Sequence, residues 1–181
     1  MMIISLSRGL FTEVDDIDAD LADINWYAGR RKSSCSERYY AIGGFPKLLM
    51  HRVIFERMLG RSMISIETVD HIDHNGLNNR RNNLRLATVA QNSTNQKLQG
   101  RVKSSKYKGV YHDTFTNRWK AQIKVNGVNK NLGRFDSELE ASAMYDAVAS
   151  IVFGDFACLN NAKLPTADCK AKAAKLAEVL G

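Results

Sequence analysis

Hydrophobic and polar positions alternate most cleanly between Arg118 and Val125. Arg118, Lys120, Gln122 and Lys124 take one face, and Trp119, Ala121, Ile123 and Val125 the other. That is the period of a half-buried strand. Asn126-Gly127 follows, the strongest short hairpin signal, so Lys130 to Phe135 is expected to return antiparallel. Ser137-Glu138-Leu139-Glu140 has capping-box spacing. Beyond it Met144, Ala147, Val148 and Ile151 mark a helix face, expected to pack on the Trp119 side and leave the opposite side basic and exposed.

Upstream, Ile17, Leu21 and Ile24 have the spacing of one helix face, with aspartates near its start where the macrodipole favours them. Tyr39-Tyr40-Ala41-Ile42, Gly43-Gly44 and Lys47 to Met50 read as a hairpin. A helix from His51 to Leu59, ended by Gly60, follows. His51-Arg52 suits packing or a phosphate contact as well as catalysis. Ser65 to Val69 reads as a strand ending at Asp70-His71. A loop rich in asparagine comes next (Asn75, Asn78, Asn79, Asn82, Asn83), then a second strand, Leu84 to Ala87. Thr88 to Gln91 fits another capping box. The expected division is an N-terminal α+β region at 1–64, a strand–loop–strand–helix module at 65–100, a polar linker at 101–105, the strand-rich segment with its helix at 106–161, and a helical tail at 162–181.

Composition sharpens this picture only where charge is uneven. The net charge of +7 hides an acidic stretch from Leu10 to Trp26, with six acidic residues and no basic one. From Lys97 to Arg134, ten basic residues face only Asp113. Such a stretch suits a polyphosphate partner, because each neutralised phosphate releases a counterion. No apolar run is long enough for a membrane span, and Met1–Leu10 lacks the features of a signal peptide, so a cytoplasmic protein is expected. Cys35, Cys158 and Cys169 form no C-x-x-C pair, which leaves a zinc knuckle unsupported and suits reduced thiols.

Hydrolysis of a phosphodiester needs an activated water, and positive charge for the developing phosphorane and leaving oxygen. Asp70 and His71 are adjacent at a strand end, so their side chains point to opposite sides and can serve metal and water separately. Asn92 falls in the first turn of the helix opened by Thr88, within reach of that strand end. Two oxygen ligands suffice for an Mg²⁺-like ion, which keeps waters and takes phosphate oxygens.

Val69-Asp70-His71-Ile72-Asp73, with Asn75, Asn79-Arg80, Asn83-Leu84-Arg85 and Gln91-Asn92, closely resembles phage and intron-encoded HNH homing endonucleases over about thirty residues. The resemblance implies a ββα-metal fold. In it Asp70 and Asn92 bind one divalent ion, Mg²⁺ or Mn²⁺, His71 is the general base, and Asn83 orients the motif by hydrogen bonds. The last His of the family's name is Asn92 here, as in the phage intron branch.

Lys106-Tyr107-Lys108-Gly109-Val110, Trp119, Leu132-Gly133, Phe135, Tyr145-Asp146 and Leu159-Asn160 are similar to the plant ethylene-response-factor (APETALA-type) DNA-binding domain over about 55 residues. This implies a three-stranded antiparallel sheet that enters the major groove. The matching positions are Lys108, Tyr111, Arg118, Lys120 and Lys124, with Lys130 on the third strand. Several family arginines are Lys, Tyr or Asn here, which favours phosphate contact over base reading.

The expected protein is an α+β chain: a mixed N-terminal region with a ββα-metal module, then a three-stranded antiparallel sheet on one helix. It would cut double-stranded DNA at a directed site to 3′-hydroxyl and 5′-phosphate ends, with no small-molecule cofactor. The alternative is a non-catalytic DNA-binding regulator on a degenerate scaffold.

Overall fold

The computed structural model describes residues 1–33, 36–96, 104–161 and 167–180, which gather into two units, Met1–Ser93 and Thr94–Gly181.

In the first unit β1 (Met2–Ser5) pairs antiparallel with β2 (Phe11–Val14). A second sheet has the order β3 (Trp26–Ser33), β4 (Ser36–Gly43), β5 (Leu48–Leu49). The expected hairpin is thus only two residues deep on its β5 side. β4 takes its long partner from β3, which has no clean alternation to announce it. α1 (Met50–Leu59) follows and ends at Gly60, in the left-handed conformation at φ 65°. β6 (Glu67–His71) and β7 (Leu84–Thr88) pair antiparallel, with Asp70 opposite Arg85 and His71 opposite Leu84.

α2 (Val89–Thr94) opens with the expected reciprocal cap. Gln91 N donates to Thr88 Oγ1 at 3.2 Å, and Thr88 N donates to Gln91 Oε1 at 2.8 Å. Val14, Leu21, Met50 and Ile54 sit at the centre of a core that also takes Val69 and Leu84. The boundary expected between residues 64 and 65 therefore runs through one shared core.

The acidic stretch departs from expectation. Asp16–Asp23 is 3₁₀, irregular at Asp18, and Ile17 is exposed while Leu21 is buried. Asp18 turns inward, with none of its surface exposed, to meet Arg81 at 2.7 Å and Arg57 at 3.2 Å. A buried carboxylate must be paired, and this pairing overrides the helical spacing of the apolar residues.

In the second unit β8 (Val110–Asp113), β9 (Arg118–Val125) and β10 (Val128–Phe135) form an antiparallel sheet with β9 in the middle. Asn126 and Gly127 both have positive φ, as the two-residue turn requires. α3 (Glu138–Phe153) starts at Ser137, whose hydroxyl accepts from Leu139 N at 3.2 Å. Ala141, Met144, Val148 and Ala149 are buried, whereas Ile151 is exposed rather than on the packed face. α4 (Ala167–Leu180) joins the same core through Ala173, with Leu176 and Leu180 packed against it, so the tail residues it contains are part of the unit.

Ser104 and Ser105 do not behave as linker. Their hydroxyls accept from His112 N and Tyr107 N at 2.9 and 3.0 Å. The rest of the expected linker, 101–103, and Cys35 lie outside the described residues; Cys158 and Cys169 are free thiols.

Gly109 holds φ at +74°, and a Cβ there would lie 2.2 Å from the Tyr145 ring and 2.6 Å from Gln122 O. Both strain and overlap oppose any side chain. Gly109→Ala is expected to destabilise the second unit by about 3 kcal/mol, read as a lowered midpoint in urea unfolding followed by Trp119 fluorescence. An unchanged midpoint would show that the contact yields freely.

Candidate active site

β6 presents two chemistries on two faces. Thr68 and Asp70 share one face, and Val69 and His71 the other, because side chains alternate along a strand. On the first face Arg85, the cross-strand partner of Asp70, donates Nε and Nη2 to Asp70 Oδ2 at 2.8 and 2.7 Å. Asn92 reaches the same face from α2, its Nδ2 lying 3.3 Å from Thr68 Oγ1. Asp70 and Asn92, expected as metal ligands, are therefore on one side of the strand. Their carboxylate and amide oxygens suit a hard divalent cation. Among the described residues no group of three His, Cys, Asp or Glu side chains converges.

On the second face His71 is buried. Its Nε2 lies 3.1 Å from Asn79 Oδ1, and its ring meets those of His51 and Tyr40 at centroid distances of 5.1 and 5.9 Å. Burial pushes the His71 imidazole below the usual histidine range; the Asn79 hydrogen bond and the Asp73 and Asp70 charges only partly offset this. A neutral ring can accept a proton, the property a general base needs.

The asparagine-rich loop between β6 and β7 is held by its own side chains. Asn83 Oδ1 accepts from Asp73 N at 3.0 Å, while its Nδ2 donates to Asp73 Oδ1 and to Asn78 O. Asn83 is thus tied to the loop start and to its middle. For Asp73, burial raises the pKa, but bonds from Asn75 N, Asn78 and Asn83 outweigh it and hold the carboxylate below its ordinary range. Gly76 lets the loop approach β4, since a Cβ would lie 2.5 Å from Tyr39 O.

Residues 48–94 match the HNH endonuclease family model. The matched segment begins earlier than the expected 65 and takes in α1 and His51. A protein of Acanthamoeba polyphaga mimivirus described as an uncharacterized HNH endonuclease is 37% identical over 135 residues, 75% of this chain and 66% of that protein. The chain spans just under two thirds of the relative's length.

The family match ends at residue 94 and does not include the basic sheet. Strand register places Tyr111, Lys120 and Arg134 side by side on one face, with Arg118 and Lys124 along β9. Lys130 pairs with Ile123 and lies on the other face, contrary to expectation. A register shift at Leu132 puts Arg134 beside Lys120 instead. The Lys120 ammonium sits 5.5 Å from the Tyr111 ring centroid. Arg118 and Arg134 bond Asp136 and Asp113 at 2.8 and 3.0 Å, exposed pairs of small energetic weight. Lys108 is placed differently: its ammonium donates to the carbonyls of Thr94 and Gln96, and burial lowers its pKa. It is committed inside the unit.

Sequence reasoning missed Arg134, Arg85 and Tyr40, and left His51 open. A bulge, a cross-strand register and a ring cluster are tertiary facts with no local signature. Of these, His51 carries a pH signature. Its Nδ1 is buried with no hydrogen-bond partner among the described residues. Burial first, then the charges of His71 and Arg52, push its pKa down from 6.5 to about 3. Between those values the unfolded chain binds the extra proton. The stability conferred by the neutral ring is therefore whole above pH 6.5 and falls by about 1.4 kcal/mol per pH unit toward pH 3. His51→Phe is expected to flatten the acid limb of the Tm-against-pH curve; a slope equal to the parent's would contradict the assignment.

Proposed function

We propose that this chain is a divalent-metal-dependent DNA endonuclease of the homing type, which hydrolyses a phosphodiester of double-stranded DNA to 3′-hydroxyl and 5′-phosphate ends. The observation that carries this reading is the division of β6: a buried, neutral His71 on one face and Asp70 with Asn92 on the other, within the segment matched to HNH endonucleases. Asp70 and Asn92 would hold one ion, Mg²⁺ or Mn²⁺. When bound, that ion supplies positive charge for the phosphorane and the leaving oxygen. His71 accepts the proton of the attacking water, Asn83 keeps the loop in register, and Arg85 holds the carboxylate of Asp70 in place.

Tyr111, Arg118, Lys120, Lys124 and Arg134 form the surface that holds the duplex, a reading supported by the resemblance to APETALA-type domains and by the basic sheet face. Holding DNA on a second unit raises the effective concentration of the scissile phosphate. The likeness to a viral protein supports action in a host cytoplasm.

The test is nicking of supercoiled DNA with Mg²⁺ or Mn²⁺ against a chelator control. His71→Ala is expected to lower the rate by about 10²–10⁴-fold, the worth of a general base, with DNA affinity unchanged. Asp70→Ala and Asn92→Ala are each expected to abolish metal-dependent cutting, and the double variant to add little, since residues acting as a unit are non-additive. Parent-like cutting by His71→Ala would sink the reading.

For the duplex surface, the triple variant Lys120→Ala, Lys124→Ala, Arg134→Ala is expected to flatten the dependence of log affinity on log salt. The slope should change by about 0.9 for each lost phosphate contact. An unchanged slope would place the duplex elsewhere.

A further inference from the structure

The hydrogen bonds behind His71 run in one direction only. Thr12 Oγ1 has one proton and two acceptors in reach, Leu77 O at 2.7 Å and Met50 Sδ at 3.8 Å; given to either, and best to the nearer carbonyl, it leaves the hydroxyl oxygen to accept from Asn79. Asn79, with none of its surface exposed, meets Thr12 Oγ1 at 2.7 Å and Met50 Sδ at 3.6 Å through Nδ2. Both of those neighbours are acceptors, so the two amide protons point at them and Oδ1 turns the other way. Flipping the amide would set its oxygen against the Met50 sulfur and would draw the Thr12 proton away from Leu77 O, so buried bonds would be lost. Oδ1 faces His71 Nε2 at 3.1 Å. An amide oxygen only accepts, so Nε2 carries the proton.

We propose that Thr12 and Asn79 are positioning residues that set the tautomer of His71, fixing the proton on Nε2 and making Nδ1 the nitrogen that takes the proton from water. In that step the water O–H bond breaks, an N–H bond forms at Nδ1 and the ring becomes an imidazolium. The new charge is then stabilised through Nε2–H by the Asn79 oxygen. The same bond also stops the ring from turning over and offering the wrong nitrogen, a role that a third group plays for many catalytic imidazoles. Thr12 lies outside the segment matched to HNH endonucleases, on β2, so the N-terminal strands complete the active site rather than merely flank it.

The inference rests on His71 acting as the general base, and its test can be separated from that reading. Full-length protein is labelled with ¹⁵N-histidine; its four histidines are assigned by difference with His71→Gln. The imidazole nitrogens are read at about pH 8, where ordinary histidines are neutral. The parent is expected to show His71 protonated at Nε2 and bare at Nδ1, whether or not it cuts DNA.

Thr12→Val keeps the shape and removes the acceptor. It is expected to give a mixture of His71 tautomers and to lower kcat by about ten-fold at unchanged KM, the worth of one hydrogen bond. Thr12→Ser is expected to restore both. A His71 proton on Nδ1 in the parent overturns the proposal outright, even if Thr12→Val fails to fold. A folded Thr12→Val with the parent's tautomer and kcat overturns it as well. A parent with the expected tautomer whose His71→Ala variant still cuts leaves the tautomer standing and overturns the general-base reading instead.

Discussion

Glu13 gives both of its main-chain groups to the loop that follows β6. Its N–H donates to Leu77 O at 2.9 Å, and its carbonyl accepts from Asn79 N at 2.8 Å. These two bonds join segments more than sixty residues apart, and the local geometry of the first unit follows from them. The neighbour on one side, Thr12, is brought under the Asn79 amide. Two residues beyond, Asp15 accepts from Arg81 N at 2.8 Å and from Arg80 Nε at 3.3 Å. Further on, Asp18 takes the Arg81 guanidinium at 2.7 and 2.9 Å. The hydrogen bond from Arg81 does most to hold the Asp18 carboxyl below its ordinary range, against the opposing effect of burial. The acidic stretch is therefore the counter-charge of the loop's arginines, and its irregular 3₁₀ backbone is what delivers Asp18 to them.

A second consequence concerns the division of labour on β6. A strand has two faces, and here each is closed by a different neighbour: Arg85 and α2 on the Asp70 side, Tyr40, His51 and Asn79 on the His71 side. Adjacent residues are thereby kept in different environments. The carboxylate sits with a cation, while burial among rings favours the neutral form of the imidazole against the opposing pull of the Asn79 hydrogen bond. Moving the register by one residue would exchange the two environments and remove both functions at once.

The second unit depends on a different constraint, the close packing of α3 on the sheet at Gly109 and Tyr145, with α4 covering another side of α3. Once that packing selects the apolar face, the polar face of β9 must be exposed. Its composition on β10 is then decided by the irregularity at Leu132, which buries that leucine and turns Arg134 outward while Lys130 stays with Ile123.

The sequence by itself determined the elements whose signals are local. β9 runs over the residues its alternation marks, because a period of two has one reading. α1 stops at Gly60 because only glycine adopts its backbone conformation without cost. Thr88 and Gln91 open α2 because each satisfies the other's backbone donor. The motif from Val69 to Asn92 also stood out, since its order of residue types is rare and continuous. What only the tertiary structure decided are facts of register and distance. Lys108 turns its charge onto carbonyls, Lys130 and Arg134 exchange places, and Thr12 reaches His71 through Asn79. Hydrophobic period says which face is buried, but a hydrogen bond between residues 67 positions apart leaves no mark on either neighbourhood.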